Sequence, residues 1–368
     1  MPNDSDIKYM SLAIGLAKRA EGMTSPNPLV GAVLVKEGKI IGKGYHKRAG
    51  FPHAEIEAIL DAEKKGRLVN DSTLYVTLEP CCHNNKRTPQ CVDSIIKKGI
   101  ANVVIGTIDP NPKVSGNGIR ALKKRGVNVR VGVVEEGCKI MNEVFFKYIK
   151  TGIPFVTLKL ACTLDGKIAT MTGDAKWIGS ETQRKFAHRL RKNADAILVG
   201  IETVLCDDPQ LNVRLGRKST RHPTPIVLDS KLRIPIDSRL LRIHKSPLII
   251  TTTKADLKKK KHIETTGSRV LIMDSDKNGK IDLRRLFKKL GELEITSILI
   301  EGGSRVATSA LSERVVDKIV LFYAPKIIGA EGVSMVGGLN ILTVKEALTI
   351  KGLKVKVFGE ELMIEGYI

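Results

Sequence analysis

The chain has 368 residues, 42% of them hydrophobic and 27% charged, with a formal net charge of +22. That length exceeds what one hydrophobic core usually serves, so two domains are expected, and the composition excludes a low-complexity or disordered chain. No apolar run approaches the roughly 20 residues of a membrane span, and the polar start "MPNDSDIKYM" is unlike a signal peptide, so a cytoplasmic protein without a membrane partner is expected.

In chain order, "YMSLAIGLAKRA" (9–20) has helical apolar spacing, and "LVGAVLVKEGKIIGKGYH" (29–46) reads as two strands around a Glu-Gly turn. "HAEIEAILDAEKKG" (53–66) reads as a helix closed by glycine, and "STLYVTLEP" (72–80) as a buried strand. A helix near 89–98, a strand over 102–108, a helix after Gly118 and a strand over 127–134 follow. Strands separated by helices imply a partly parallel sheet covered on both faces. "CKIMNEVFFKYIKTGIP" (138–154) reads as a closing helix with a Gly/Pro break, which places a domain boundary near 150. A second strand–helix series runs over 155–162, 182–194, 196–201, 225–229, 247–252 and 295–303, with a strand-rich end. It does not repeat the first half, so two different α/β domains, 1–150 and 151–368, are expected.

The positive charge is spread over both halves, so no single basic tail accounts for it. Such a field attracts anions, from nucleic acid to small phosphorylated substrates, or simply keeps the surface solvated. "KADLKKKKH" (254–262) reads as a solvated helix face or loop. Only 4% of residues are aromatic, which argues against a single-strand channel built on base stacking.

Three of the six cysteines lie in "EPCCHNNKRTPQC" (79–91), and in a reducing compartment such a cluster reads as metal ligands rather than disulfides. A hydrolytic zinc site needs three protein ligands and an open position for water, whose pKa the metal lowers to about 7. His53 and two cysteines supply three ligands, and Glu55, two residues past the histidine, is free to move protons. Residues two apart on a helix point to different sides, so this pair belongs at a helix start. The zinc-deaminase signature is H-x-E followed by P-C-x-x-C. Here "HAE" (53–55) is followed by Pro80-Cys81, but the last cysteine is Cys91 rather than the fourth residue of a tight CxxC.

Together with "TSPNPLVGAVLV", "GKGYHKRAGFPHAE", "YVTLEPCCHNNKRTPQC" and "IGTIDPNPKVSGNGI", these residues resemble the deaminase half of the bifunctional riboflavin-biosynthesis deaminase/reductase family. The resemblance implies a cytidine-deaminase-like three-layer domain with His53, Cys81 and Cys91 on zinc and Glu55 catalytic. Cys82 keeps the family's usual spacing to Cys91, whereas Cys81 keeps the preceding proline and the C-x-H pattern; Cys81 is preferred, with Cys82 the alternative. The resemblance also implies that Asn27, His46, His83, Arg87 and Asp109 contact a pyrimidine and its ribosyl phosphate. By composition alone Asn27 and Asp109 are turn formers in "SPNP" and "DPNP".

In the second half no G-x-G-x-x-G joins a strand to a helix, so a dinucleotide-binding fold of that type is unsupported. "ITSILIEGGSRVATSAL" (295–311) instead runs a strand through Gly302-Gly303 into a helix, whose first N–H groups suit a pyrophosphate. "VTLKLACTLDGKIAT", "HRLRKNADAILVGIETVLCDDPQLNVR" and "VDKIVLFYAPKIIG" resemble the reductase half of the same family, similar in fold to dihydrofolate reductase and using NADPH. The resemblance implies that Lys159 is catalytic and that Asp165, Arg191, Leu211, Arg214 and Glu301 bind substrate. It places Cys162, Trp177, Thr203, Asp207, Ser230 and Gly303 at the dinucleotide. The chain departs from the family pattern at Thr163, Ala175 and Glu202, the last adding a negative charge near the cofactor.

The function so implied is zinc-dependent deamination of a diaminopyrimidinone ribosyl phosphate, then NADPH-dependent reduction of its ribosyl group to ribityl. A small phosphorylated pyrimidine is the expected partner, with no nucleic acid, and a homo-oligomer is expected. The alternative is a nucleic-acid or nucleotide deaminase with a non-catalytic C-terminal binding domain.

Overall fold

The computed structural model describes residues 3–82, 90–112, 114–176, 178–216, 221–275 and 279–368. Backbone contacts divide the chain into two units, Met1–Gly152 and Ile153–Ile368.

The first unit runs α1 (Asp4–Ala17), β1 (Gly31–Lys36), β2 (Lys39–Tyr45), α2 (Ala54–Lys64), β3 (Thr73–Leu78), α3 (Cys91–Lys97), β4 (Asn102–Thr107), α4 (Asn117–Lys124), β5 (Asn128–Val131), α5 (Glu135–Met141) and α6 (Glu143–Thr151). Its sheet has the order β2-β1-β3-β4-β5, antiparallel through β1 and parallel from β3 to β5. Side chains alternate across a strand. Ala32, Leu34, Leu74 and Val76 accordingly meet α2, α3 and α4, while Val33, Val35 and Tyr75 meet α1 and α5. Burial on both faces explains why β1 reads as an unbroken apolar run.

Two boundaries differ from the sequence reading. Helix α1 starts at Asp4, because Asn3 caps it and Asp6 completes a capping box. Asp6 is itself buried, where the Tyr75 hydroxyl (2.9 Å) and the Arg130 guanidinium (2.7 Å) donate to its carboxylate. The closing helix over 138–154 is two helices, broken at Asn142. The buried Asn142 amide accepts from the Leu29 N–H at 2.8 Å and donates to the Leu29 carbonyl at 2.9 Å, an exchange with a distant segment that helical spacing cannot reveal.

Close backbone approach fixes where the chemistry-bearing segments sit. A Cβ on Gly44 of β2 would lie 2.3 Å from the Ala54 carbonyl oxygen, so only glycine lets β2 lie against the first turn of α2. On the other flank, buried Glu79 accepts from the N–H groups of Asp109 (3.3 Å), Gly116 (2.9 Å) and Ile119 (3.1 Å). This carboxylate ties the end of β3 to the start of α4, and Gly118 leaves room for the Pro80 carbonyl, 2.3 Å from where its Cβ would be.

The second unit runs β6 (Phe155–Thr163), β7 (Lys167–Ala169), α7 (Glu181–Asn193), β8 (Ala196–Gly200), α8 (Ile201–Asp207), β9 (Thr224–Leu228), α9 (Arg239–Ile243), β10 (Leu248–Thr251), α10 (Leu257–Thr265), β11 (Arg269–Ile272), α11 (Leu283–Glu292), β12 (Ser297–Ile300), α12 (Ser304–Ser312), β13 (Lys318–Ala324), β14 (Val333–Ser334), β15 (Lys351–Phe358) and β16 (Glu361–Tyr367). Its large sheet has the order β11-β10-β9-β8-β12-β6-β13-β16-β15, parallel through β13 and antiparallel at β16 and β15. Helices α11 and α12 cover the face carrying Val156, Leu158 and Leu160. The opposite face, with Ile197 and Val199 at one end and Phe322 at the other, carries α7, α8, α9 and α10. The lysine-rich run is α10, capped by Asp256, with Ile263 its buried residue.

Replacing Glu79 by alanine deprives three backbone N–H groups of their acceptor. Each such loss costs about 1–3 kcal/mol when buried. Glu79→Ala is therefore expected to speed amide hydrogen exchange across α4 in the full-length protein, leaving α11 and α12 unchanged.

Candidate active sites

In the first unit His53 is the N-cap of α2, extended at φ −71° and ψ 163°, so its ring leaves the helix axis while Glu55 lies in the first turn. Its Nδ1 is 3.1 Å from Cys91 Sγ and 3.5 Å from Cys81 Sγ. Cys91 opens α3, and its neighbour Val92 donates its N–H to the Cys81 carbonyl at 3.3 Å, which holds the two thiols' backbones together. The three ligand atoms lie within 4.8 Å of one another. Nitrogen and sulfur on a tetrahedral zinc, at bond lengths near 2.0 and 2.3 Å, would be about 3.6 Å apart. The donor set and its spacing therefore fit zinc.

Cys82 is outside this group, half-buried against the α2–α3 side of the core. The Cys91 thiol is pushed well up by its hydrogen bond with Cys81, by burial and by Glu55, and a bound dication would act in the opposite direction. Glu55 is 3% exposed, and its Oε2 has no hydrogen-bond partner among the described residues. Burial pushes its carboxyl pKa up, with His53 opposing. A buried carboxyl beside a metal ligand set, with its pKa raised, is suited to taking and giving protons.

His46 is buried beside this group, its ring edge-on to His53 with centroids 5.5 Å apart. Its Nδ1 lies 3.1 Å from the Pro52 carbonyl oxygen, which only accepts, so Nδ1 carries the hydrogen. Nε2 then accepts from the Asn27 amide at 3.2 Å. The structure thus brings Asn27 and His46 together at the zinc-ligand group. Asp109 is buried and accepts from the Asn111 N–H at 2.8 Å, the turn-forming role that its "DPNP" context suggests. His83 and Arg87 lie outside the described residues.

In the second unit a cavity of about 310 Å³ is lined by Lys159, Arg191, Arg214 and Glu301. Arg191 holds Glu301 with a two-pronged pair, Nε to Oε1 and Nη2 to Oε2, both 2.8 Å, and gives Nη1 to the Asn212 carbonyl at 3.2 Å. Burial alone would raise Glu301, but Arg191 and Lys159 overcome it and hold the carboxyl at about 2. Burial lowers Lys159, with Glu301 pulling it back up, and its ammonium sits 5.6 Å from the Phe322 ring centre.

Two further residues expected at the substrate, Asp165 and Leu211, have side chains engaged in the fold. The Asp165 carboxylate accepts from the Thr163 hydroxyl and from the N–H groups of Ile328 and Gly329, which fastens a turn. Leu211 is 2% exposed in the core, in a left-handed conformation at φ 47°. It anchors the segment carrying Asn212 and Arg214 and lies outside the cavity lining.

At the expected dinucleotide end, Gly303 precedes α12, which has no side-chain cap, so its first N–H groups are available to an anion. A Cβ on Gly303 would find only Thr203 Oγ1, at 3.9 Å, whereas one on Gly302 would strike Val306 at 2.7 Å. Thr203 and Gly303 are thus neighbours around open space, an arrangement that fits a pyrophosphate. Ser230 follows β9, its carbonyl accepting from the Thr252 hydroxyl at 2.8 Å. Asp207 ends α8, its carboxyl raised by partial burial with Lys176 opposing. Cys162 is fully buried, with Sγ 3.6 Å from the Phe322 carbonyl, so its side chain does not reach the cavity. Trp177 lies outside the described residues. The extra charge of Glu202 is matched by Arg233 at 2.5 Å and Arg305 at 3.9 Å, and Ala175 lines the cavity wall.

The sequence reading did not single out His188, which lines the cavity and accepts the Arg214 N–H at Nδ1 (3.3 Å). Burial, with the charges of Arg191 and Arg214, lowers its pKa to about 4. The available signal was helical spacing: His188 lies three residues before Arg191 on α7.

Zinc carried by the first unit is expected to be lost in Cys81→Ala and Cys91→Ala and retained in Cys82→Ser. Metal content of the purified full-length proteins checks this.

The family "Cytidine and deoxycytidylate deaminase zinc-binding region" matches residues 3–107, and "RibD C-terminal domain" matches residues 154–364. The riboflavin biosynthesis protein RibD of Aquifex aeolicus is 48% identical over 364 residues, 99% of each chain. That of Escherichia coli is 38% identical over 350 residues, 92% of this chain and 93% of the relative. A crystal structure from Thermotoga maritima, described as a diaminohydroxyphosphoribosylaminopyrimidine deaminase/5-amino-6-(5-phosphoribosylamino)uracil reductase, superposes with a TM-score of 0.87 at 39% identity, covering 99% of this chain and 98% of that one. Two complementary domain matches and full-length relatives leave one conclusion: the chain belongs to the RibD family, the bifunctional deaminase/reductases of riboflavin biosynthesis, with zinc and NADPH as the cofactors of its two activities.

Proposed function

We propose that the first unit deaminates a diaminopyrimidinone ribosyl phosphate, and that the second reduces the ribosyl group of the product to a ribityl chain. The observation that carries this reading is the buried carboxyl of Glu55 beside the His53/Cys81/Cys91 group, with its Oε2 unpartnered among the described residues. When bound, zinc supplies an activated water and NADPH a hydride. Glu55 would carry one proton of the water to the ring nitrogen and then the second, from the hydroxyl added to the ring carbon, to the amino group, which leaves as ammonia while the carbonyl forms. Asn27 and His46, hydrogen-bonded to each other at the edge of the ligand group, orient the pyrimidine.

In the second unit Lys159, whose charged form Glu301 favours against burial, steadies the ribose at the carbon that accepts hydride. Arg191 keeps Glu301 in place, and Arg214 faces the phosphate. The N–H groups at the start of α12 hold the dinucleotide. A nucleotide or nucleic-acid deaminase with an inert second unit is disfavoured by the buried Lys159–Glu301–Arg191 cluster, which a mere binding domain has no reason to keep. The reducing cytoplasm is the proposed setting, since it leaves the Cys81 and Cys91 thiols free for metal.

We further propose that the protein self-associates along β15. This edge strand exposes Leu353, Val355 and Val357 at 58%, 61% and 63%, an apolar stripe beside unpaired backbone groups. Light scattering on the full-length protein should give more than one chain per particle, with Val355→Lys shifting the mass downward; an unchanged mass in that variant removes the proposal.

The catalytic reading is tested by NADPH oxidation with the diaminopyrimidine ribosyl phosphate as the only substrate. Wild type should consume NADPH. Glu55→Gln should do so only when supplied with pre-deaminated substrate. No consumption by wild type even with pre-deaminated substrate would remove the reductase assignment.

A further inference from the structure

Asn27 gives its amide N–H to His46 Nε2 at the edge of the zinc-ligand group, 3.2 Å away. His46 is fixed from its own side, through Nδ1 on the Pro52 carbonyl and its backbone N–H on the Val30 carbonyl at 2.9 Å. Asn27 itself lies in "TSPNPLV" (24–30), outside helices and strands, where Pro26 and Pro28 offer no backbone N–H. Its own N–H reaches back to the Thr24 carbonyl at 2.8 Å. On the other side of Asn27 the segment is held by Asn142. That buried amide takes both the N–H and the carbonyl of Leu29, at 2.8 and 2.9 Å.

Asn142 is rooted on a packed element. It is the C-terminal cap residue of α5, and Cys138 of that helix is buried against β4, where a Cβ on Gly106 would lie 2.4 Å from the sulfur. The link from Leu29 back to Asn27 is short and stiff. Proline fixes φ at Pro28 and confines the residue before it to extended backbone. A shift at Leu29 is therefore passed to Asn27 with little slack.

Resting on the deaminase reading above, we infer that Asn142 is a positioning residue of that reaction, holding Asn27 where its amide meets the pyrimidine. It acts through Leu29 and Pro28, without contact with the substrate. An amide suits the task because it presents an acceptor and a donor side by side, as a neighbouring strand would. Aspartate keeps the acceptor and loses the donor; alanine loses both.

A misplacement of about 1 Å can cost about 100-fold in rate. Asn142→Ala should accordingly lower kcat/KM for the diaminopyrimidinone ribosyl phosphate roughly 10- to 100-fold, read as ammonia release by the full-length protein. Asn142→Asp should also lose activity despite its matching shape, because its carboxylate cannot donate to the Leu29 carbonyl. Amide exchange over 24–30 should speed in both variants. Zinc content, and NADPH oxidation with pre-deaminated substrate, should stay at wild-type levels.

A double-mutant cycle separates positioning from general support of the fold. If Asn142 acts through Asn27, the Asn27→Ala/Asn142→Ala protein should lose no more than the worse single variant. Losses that multiply would overturn the inference, as would a full-rate Asn142→Ala or Asn142→Asp, or unchanged exchange over 24–30. If Asn142→Ala loses its zinc, the cycle is run with Asn142→Asp; loss of zinc there as well would make Asn142 a folding residue and end the inference. No ammonia from wild type would instead remove the deaminase reading, and the positioning role with it.

Discussion

A carboxylate taken out of water must be met by donors or must hold its proton, and the placement of three glutamates under this constraint organises both units. Glu79 is met by three backbone N–H groups, which draws the end of β3 and the start of α4 together and seats Cys81. Glu301 is met by Arg191 and Lys159, and this cluster fixes one wall of the second cavity. Glu55 is buried as deeply as Glu79, yet its Oε2 is left without a partner among the described residues. The first two are satisfied by their donors; the third keeps one oxygen open beside the ligand group, as the proposed proton transfer requires.

The same bookkeeping explains the second site's division of labour. A buried ion pair adds little net stability, because desolvation offsets much of its attraction, but removing one partner strands the other charge. Arg191 and Glu301 are therefore best seen as a fixed frame. Held in that frame, Lys159 is pushed down by burial with Glu301 opposing, and His188 is lowered to about 4 by burial and the charges of Arg191 and Arg214. The cationic character of the cavity is thus a local construction and does not follow from the chain's overall charge of +22.

Much of the architecture was legible because its signals are local. The apolar run of β1, the alternation of strands with helices and the glycine after α2 each reflect what a few neighbouring residues prefer. What failed locally failed for tertiary reasons. The helix over 138–154 is broken because Asn142 bonds to Leu29, more than a hundred residues away. Only the tertiary structure, likewise, shows that the Leu211 side chain fills a core and that the Asp165 carboxylate fastens a turn. His188 was passed over because a lone helical histidine has no signature until Arg214 arrives at its Nδ1.

The sequence by itself determined the two-domain α/β order and was enough to propose the ligand types, His53 with two cysteines, and Glu55 beside them to move protons, because residue chemistry and short-range spacing suffice for these. It left Cys81 and Cys82 as alternatives. Only the tertiary structure decided between them for proximity, since Cys81 Sγ meets His53 Nδ1 whereas Cys82 turns into the core. Only tertiary structure, too, inserts β12 between β6 and β8 and so carries Glu301 to Lys159 and Arg191. Glu301 lies more than a hundred positions from either of them in the chain, and no local preference encodes which strand ends as the neighbour of which; that is settled by packing the whole sheet between its two layers of helices.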